Sequence, residues 1–224
     1  MVNTHFAPSR VAHRASRLQA LLLADDADGG CDRVLVAGLQ ALAVRSQDDA
    51  LAHRDVESRR RCLHFAHAAD VAARLLPRLA ATLRRRAHLP AAGAALAAAS
   101  PPTVDRVLVL ELGWLAMDVG FEREGRALLH AAGVVLHGAM GGALLEAQGL
   151  MSVGRTLEAA ELLECALGQY RDDDGMPSAL LAWLWHALDD ERWVVAARRV
   201  VSQCSNQTAR LLCNAQLDIA SRVA

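Results

Sequence analysis

Two segments of the chain repeat each other at a distance of 34 residues. The first, VGFEREGRALLHAAG, covers residues 119–133, and the second, VGRTLEAAELLECAL, covers residues 153–167. A valine, a glycine, a glutamate, a pair of leucines and an alanine occur in the same order in both. A fixed period of this length predicts stacked supersecondary units, each too small to bury its apolar face alone.

A period of 34 residues with paired helices is the spacing of tetratricopeptide (TPR) repeats. Small residues and leucines occupy the sites where the two helices of a pair must approach closely. In the first copy these are Leu112, Gly113, Gly120, Gly125, Leu129 and Ala132, and in the second Ala147, Gly154, Ala159, Leu163 and Ala166. A looser third copy, shifted to about 37 residues, has Trp193, Ala196 and Val200. Two features depart from the pattern: Glu146 stands at a leucine site, and the proline expected after the second helix is missing from the first two copies. The alternative is a generic helical bundle.

The sequence therefore predicts an all-α fold of TPR-like helical-hairpin repeats (an α-solenoid), preceded by an N-terminal helical hairpin or small bundle. No segment shows the alternation of a strand. We expect two parts: residues 1–100, an N-terminal helical region, and residues 104–224, the repeats with a C-terminal capping helix. The boundary is the alanine- and proline-rich segment Pro90–Thr103, whose Pro-Pro pair cannot continue a helix. The helices expected after it cover about 104–118, 122–136, 142–152, 155–169, 177–188, 190–202 and 206–222.

Three helices are expected in the N-terminal part. They cover Pro8–Leu23, Val34–Val44 and about Asp48–His88. The last has apolar residues at steps of three and four, the pattern of an amphipathic helix. Pro77 is expected to kink or divide it.

The first helix of each predicted pair is apolar on two sides, which is one side more than packing within the pair requires. The nine residues on the second side are Leu110, Trp114, Met117, Leu144, Gln148, Met151, Leu181, Trp185 and Leu188. One interpretation is that the N-terminal half or a dimer mate covers them. The other is an apolar concave groove that accepts an amphipathic helix of another protein, with tryptophan and methionine as anchors. Both hold if an N-terminal segment occupies the groove until a client displaces it.

The segment LVLELGWLAMDVGFEREGRALLHAA, Leu108–Ala132, resembles the first repeat of small TPR chaperones of bacterial type III secretion. These are the YscG/PscG needle-subunit chaperones and the YscY export chaperones, with SycD-like translocator chaperones as more distant relatives. The resemblance continues through LLEAQGLMSVGRTLEAAELL and LLAWLWHALDDERWVVAARRVV to about residue 202. It implies that the concave surface holds an apolar helix of a secreted subunit. Trp114, Met117, Met151, Leu181 and Trp185 would then contact that helix.

Needle chaperones act with a second, small helical-hairpin protein, so the resemblance also allows residues 1–88 to be such a partner fused in cis. The charges of the two halves are compatible with docking. Residues 1–100 have a net charge of +5 and residues 101–224 one of −6, which gives the whole chain −1. All 24 basic residues are arginine. A basic arm with a separate partner is the other interpretation of this asymmetry.

No catalytic motif, cofactor site or metal site is predicted. Cys62, His64 and His67 are the single ligand-like cluster, with His53 further back, and no second cluster completes a metal site. Asp172–Asp174 lacks the alternating ligands of a calcium loop. The Arg59–Arg61 and Arg84–Arg86 runs have acidic neighbours and no interleaved aromatic residues, so they favour a solvated or acid-docked face over nucleic-acid binding.

Five scattered cysteines without CxxC spacing are typical of a reducing compartment. There is no signal-peptide pattern at the N-terminus and no run of about 20 apolar residues, so we expect a cytoplasmic protein without membrane insertion.

The expected function is a non-enzymatic chaperone or adaptor, in particular a type III secretion chaperone for an exported subunit. Its partner would be a protein client, with a small helical co-chaperone or a homodimer mate besides. The alternative is a TPR regulatory or scaffold protein whose arginine-rich half contacts nucleic acid or a signalling partner.

Overall fold

The computed structural model describes residues 18–23, 30–87, 103–172 and 174–223. In these ranges the chain forms helices and no strand, which confirms the all-α class. Residues 18–23 are helical, and the predicted Pro8–Leu23 helix otherwise lies outside the described residues. The other helices are α1 (Gly30–Ala52), α2 (Val56–Ala87), α3 (Arg106–Val119), α4 (Glu122–Ser152), α5 (Thr156–Gln169), α6 (Met176–Ala187), α7 (Arg192–Gln203) and α8 (Gln207–Val223).

Helix α4 is interrupted at Gly138, where φ is 74° and ψ is −170°. Only glycine adopts this backbone conformation without strain. The sequence expectation of two helices, 122–136 and 142–152, is confirmed by this break.

The chain divides by its contacts into two compact units, Met1–Val135 (unit 1) and Leu136–Ala224 (unit 2). The sequence grouped the first predicted hairpin with the later repeats, whereas the contacts group α3 and the start of α4 with the N-terminal helices. The reason is that α3 packs on α2 and contributes to the same apolar core. The expected boundary segment lies outside the described residues apart from Thr103.

In unit 1, helices α1 and α2 form an antiparallel hairpin that brings the start of α1 to the end of α2. Arg84 Nη2 donates to Asp32 Oδ2 at 2.9 Å, and Arg84 Nε donates to the carbonyl of Leu22 at 2.9 Å. The core between the helices consists largely of leucine and alanine around Phe65. Helix α2 is not divided at Pro77, because Leu76 and Leu79 beside it are fully buried in this core and outweigh the missing backbone hydrogen bond.

Helices α3 and α4 approach closely at two glycines. A Cβ placed on Gly113 would lie 3.0 Å from Leu129 Cγ, and one placed on Gly125 would lie 2.8 Å from Met117 Sδ. The prediction that small residues occupy these two packing sites is confirmed.

Unit 2 has two apolar clusters that share α6. The first cluster lies between the end of α4, α5 and α6. Ala147, Ala159 and Leu163 are buried in it, as the repeat predicted. Trp193, Ala197 and Val200 are buried in the second, beside α8. Ala196, which the prediction named, is partly buried and packs against the same cluster. Helix α6 packs against α5, α7 and α8, and α7 packs against α8.

Three of the helices that the structure describes end in the same backbone motif. At Gly120, Gly154 and Asp189, φ is 94°, 81° and 56°. In each case this residue donates its N–H to a carbonyl three residues back, and the following residue donates to a carbonyl five residues back. This is the Schellman arrangement of a helix C-terminus. The three motifs follow one another at 34 and 35 residues, so the period of the sequence is also a period of local structure.

Candidate binding cleft

A cleft in unit 2 has a volume of about 930 Å³. Its walls are the end of α5, the loop that follows α5, helix α6, and most of α7. The apolar side chains in it are Leu167, Leu181, Trp185, Val195, Ala196 and Val200, and the charged ones are Glu164, Arg171, Asp172, Arg192 and Arg199. A volume of this size matches that of small-ligand or peptide sites, roughly 300–1,000 Å³.

Asp172 positions the loop at one end of the cleft. Its carboxylate accepts hydrogen bonds from the N–H of Gly175 at 2.7 Å and from the N–H of Ser178 at 3.1 Å, and also from the Ser178 hydroxyl. These donors belong to the start of α6, whose first N–H groups have no partner within the helix. The acidic run is therefore used to begin a helix.

Gly175 holds the same loop against the end of α7. Its φ is 77°, and a Cβ at this residue would lie 2.2 Å from Cys204 Sγ. Cys204 in turn contacts the carbonyl oxygen of Asp174 at 2.9 Å. No side chain larger than hydrogen fits at residue 175.

Arg192 connects the two helices on opposite sides of the cleft. Its guanidinium lies 2.8 Å from Glu164 on α5 and 2.7 Å from Asp190, and it covers the Trp185 ring at 4.4 Å from the ring centre. The hydrogen bonds from Arg192 hold the pKa of Asp190 below its ordinary value, so that carboxylate is ionised at neutral pH. The edge of the cleft is charged, and its base is apolar.

The apolar base is partly accessible. Leu181 is buried and Trp185 is partly buried, because both contribute to the apolar clusters under the cleft. Val195 on α7 is 72% exposed. Val195 and Trp185 line the same cleft, so the concave surface offers apolar side chains to a ligand.

Three of the nine predicted groove residues lie in unit 1. Met117 is 1% exposed, because its side chain fills the space that Gly125 leaves open. Leu110 is also buried. Neither side chain has surface to give to a ligand, and their assignment to a groove is corrected to the core. Trp114 is partly exposed.

The other six lie in unit 2. Leu144, Gln148 and Met151 are partly buried, and Leu188 is exposed. The structure brings Leu181 and Trp185 together in the cleft, which the other four do not line. Besides α6, this cleft has walls from α5 and α7, the second helices of their pairs, whereas the predicted groove followed the first helices alone.

Sequence reasoning missed the contribution of α7. Its buried face consists of Trp193, Ala197 and Val200. Val195 lies off that face, among arginines. An apolar residue on the polar side of an amphipathic helix is the signal that could have identified it.

The cysteine and histidine side chains form no metal-ligand group of three or more within the described ranges. His53, His64 and His67 are exposed, and Cys62 is partly buried. Burial raises the pKa of the Cys213 thiol to about 11, so it is protonated at neutral pH.

A smaller cleft of about 150 Å³ in unit 1 is lined by Arg61 and Arg106 among other residues. Arg61 pairs with Glu57 at 3.3 Å, and Arg106 covers the Phe65 ring at 5.6 Å. Arg74 and Arg84 also have carboxylate partners, Asp70 and Asp32.

In the described part of the chain one helix, α4, is long and apolar enough to span a membrane by length and composition. Its mean hydropathy is 1.6 over an 18-residue window, half of which is buried. The core helix of a soluble protein has the same properties, and Leu128, Leu129 and Leu150 of α4 are fully buried.

Comparison of the chain with protein-family models, with curated proteins and with solved structures finds no match.

Proposed function

We propose that this chain is a non-enzymatic chaperone or adaptor that binds the apolar face of an amphipathic helix in the cleft of unit 2. The observation that carries the proposal is that the exposed Val195 lines the same cleft as Trp185 and Leu181, together with charged side chains. Burial of these side chains by a ligand would be favourable, and the charged edge would orient it.

A helix fits this cleft better than an extended peptide does. The cleft contains no strand edge to which a peptide could add main-chain hydrogen bonds, since its walls are helices. An amphipathic helix instead offers apolar anchors at i, i+3, i+4 and i+7, which is the periodicity of the side chains on α6 and α7. Trp185 is the central anchor in this arrangement.

The proposal includes a TPR-like arrangement of the hairpins. Helix α6 contacts the helix before it and the two helices after it, as the first helix of a stacked pair does. The Schellman ends at 34 and 35 residues support the same arrangement. The assignment to type III secretion rests on the sequence resemblance over residues 108–202. On this proposal the client is an exported subunit, held in the cytoplasm in a state that does not assemble.

The alternative of nucleic-acid binding by the arginine-rich half has less support, because Arg61, Arg74 and Arg84 each have a carboxylate partner. Salt separates the two functions. Affinity for a nucleic acid would fall steeply between about 50 and 200 mM salt, whereas burial of apolar surface is nearly insensitive to it.

The test uses a synthetic 18-residue amphipathic peptide of leucine, alanine and glutamine with a fluorescent label, followed by anisotropy. We expect Val195→Glu to weaken peptide binding by about tenfold or more, because a charge would be placed against the apolar base. Leu157→Glu is the matched control, since Leu157 is 58% exposed on α5 and does not line the cleft. Equal affinities for both variants, or no binding by the unaltered protein, would contradict the cleft assignment.

The client class has a separate test. Mass spectrometry of the chain that co-purifies with the protein from its native host identifies the client. An exported, self-assembling subunit is the expected result, and a kinase, a transcription factor or a nucleic acid would favour the regulatory alternative.

A further inference from the structure

Helix α1 has an apolar face that no described part of the chain covers. Its other face, with Leu35, Leu39 and Leu42, is buried in the hairpin. On the uncovered face, Val34 is 55%, Val44 56% and Leu51 81% exposed, and Ala37 and Ala41 are exposed as well. The five residues follow steps of three, four, three and seven, which is the spacing of a coiled-coil seam.

The seam is symmetric along the helix. In both directions from Leu39 the order is alanine and then valine, at residues 37 and 34 on one side and at 41 and 44 on the other. In a two-fold interface, residue i of one copy meets residue j of the other, and j meets i. The symmetry of this seam would therefore pair valine with valine and alanine with alanine. Antiparallel pairing of two α1 helices would place Val34 against Val44 of the second copy and Ala37 against Ala41.

The small residues lie where two such helices would cross. Alanine at the centre of a seam allows the helix axes to approach to about 8 Å, and the valines on both sides fill the space as the helices diverge. The dipoles of antiparallel helices also oppose each other favourably.

One charged residue, Asp48, stands in the seam between Val44 and Leu51. In the antiparallel register its carboxylate would lie beside Gly30 of the second copy, at the helix N-terminus, which favours negative charge. The acidic residue already in that first turn, Asp32, is paired with Arg84. In a parallel register Asp48 would face Asp48 of the second copy, and the two like charges would repel.

We propose that this face of α1 is a homodimer interface, formed by antiparallel packing of α1 on α1 of a second copy of the chain. The seam from Val34 to Leu51 is about 26 Å long at 1.5 Å per residue. One helix pair of this length buries less than the about 800 Å² per partner of a standard interface. The dimer is therefore expected to dissociate in the micromolar range. The inference is independent of the cleft in unit 2.

The first test is analytical ultracentrifugation of the full chain from about 1 to 200 μM. Ala41→Glu should weaken dimerisation by about 100-fold, because it buries a charge at the centre of the seam. Leu63→Glu is the matched control, because it places the same charge on an exposed apolar residue of α2, outside the seam. Helical circular dichroism of both variants should match the parent. If Ala41→Glu loses helicity, Val44→Ser replaces it. A monomer at 200 μM, or equal dimerisation of the Glu variants, would overturn the proposal.

The second test determines the register. Val34→Cys and Val44→Cys proteins are mixed and treated with a short thiol cross-linker, and the linked peptides are identified by mass spectrometry to separate them from native cysteines. A link between position 34 of one variant and position 44 of the other supports antiparallel packing. A link from 34 to 34 would show the parallel form and overturn the proposal, as would links from either position only to residues of the same chain.

Discussion

Asp189 has the left-handed backbone conformation that glycine adopts at the ends of the two preceding repeat helices. Its φ is 56°, and it is the one non-glycine residue with positive φ in the described part of the chain. We predict that Asp189→Gly raises the free energy of unfolding by about 0.5–1 kcal/mol, because glycine adopts this conformation without steric cost. Thermal unfolding followed by circular dichroism should show a Tm higher by a few degrees.

Two control variants separate conformation from charge at this position. Asp189→Asn removes the carboxylate but keeps a Cβ, so its Tm should stay below that of the glycine variant. Asp189→Val should lower the Tm, since β-branched residues are strained at positive φ. A valine variant as stable as the parent would contradict the left-handed assignment.

Gly125 and Gly168 are helical glycines in opposite surroundings. A Cβ on Gly125 would lie 3.0 Å from the Gly113 carbonyl oxygen, and one on Gly168 would meet nothing within 4 Å. We predict that Gly125→Ala destabilises the protein by about 1–3 kcal/mol through overpacking. Gly168→Ala should stabilise it by about 0.5 kcal/mol through helix propensity. Urea unfolding of both variants tests the pair, and a stable Gly125→Ala protein would contradict the close helix crossing.

Such residue-level features were predictable where the repeat fixed them. Gly120, Gly125 and Gly154 were expected at a helix end or a helix crossing because two copies could be compared. The helix end at Asp189 was not predicted, since the third copy has an aspartate where the first two copies have a glycine. Met117 was assigned to the groove and lies in the core, because the period of the repeat alone does not show that Gly125 leaves a space for the Met117 side chain.

At the scale of elements, the start of α2 depends on Asp55. This carboxylate accepts hydrogen bonds from the N–H of Ser58 at 2.7 Å and of Glu57 at 3.4 Å. The hydrogen bonds from Ser58 lower the pKa of Asp55. Because the folded pKa is below the unfolded one, the ionised carboxylate stabilises the fold above about pH 4, and this contribution is lost as the pH falls through the folded pKa.

We therefore predict that Asp55→Ala has a lower Tm than the parent at pH 7 and that the difference shrinks below pH 4. Asp55→Asn keeps a side-chain acceptor and should retain most of the cap at both pH values. A Tm difference between the alanine variant and the parent that stays constant down to pH 2.5 would show that Asp55 does not act through its charge.

The N-terminal helices were predicted less well than the later ones. The sequence suggested helices at 34–44 and 48–88, and the structure has Gly30–Ala52 and Val56–Ala87. Helix α1 is apolar on two faces, so a one-face pattern identified only its middle. The bounds of α5 to α8 were predicted to within two residues, because these helices are short and separated by turns that contain glycine, proline, acidic residues or a serine and an asparagine.

At the scale of the whole molecule, the sequence predicted two residues of the cleft, Leu181 and Trp185, and not its walls. The pairing of α6 with α5 and α7 follows from tertiary packing. The apolar pattern of a single helix does not show between which neighbouring helices a cleft remains open. Cleft residues such as Val195 and Tyr170 belong to elements that the repeat marked only as packing helices or loops.

The two units have separate apolar cores, and the cleft belongs entirely to unit 2. We predict that a fragment of residues 136–224 is helical, unfolds cooperatively and binds the 18-residue amphipathic peptide with the affinity of the full chain. Its Val195→Glu variant should lose that binding while the fragment stays helical. Circular dichroism and anisotropy measure the two properties separately. A fragment that folds but does not bind would move the peptide site to residues 1–135, where Trp114 is the first residue to substitute.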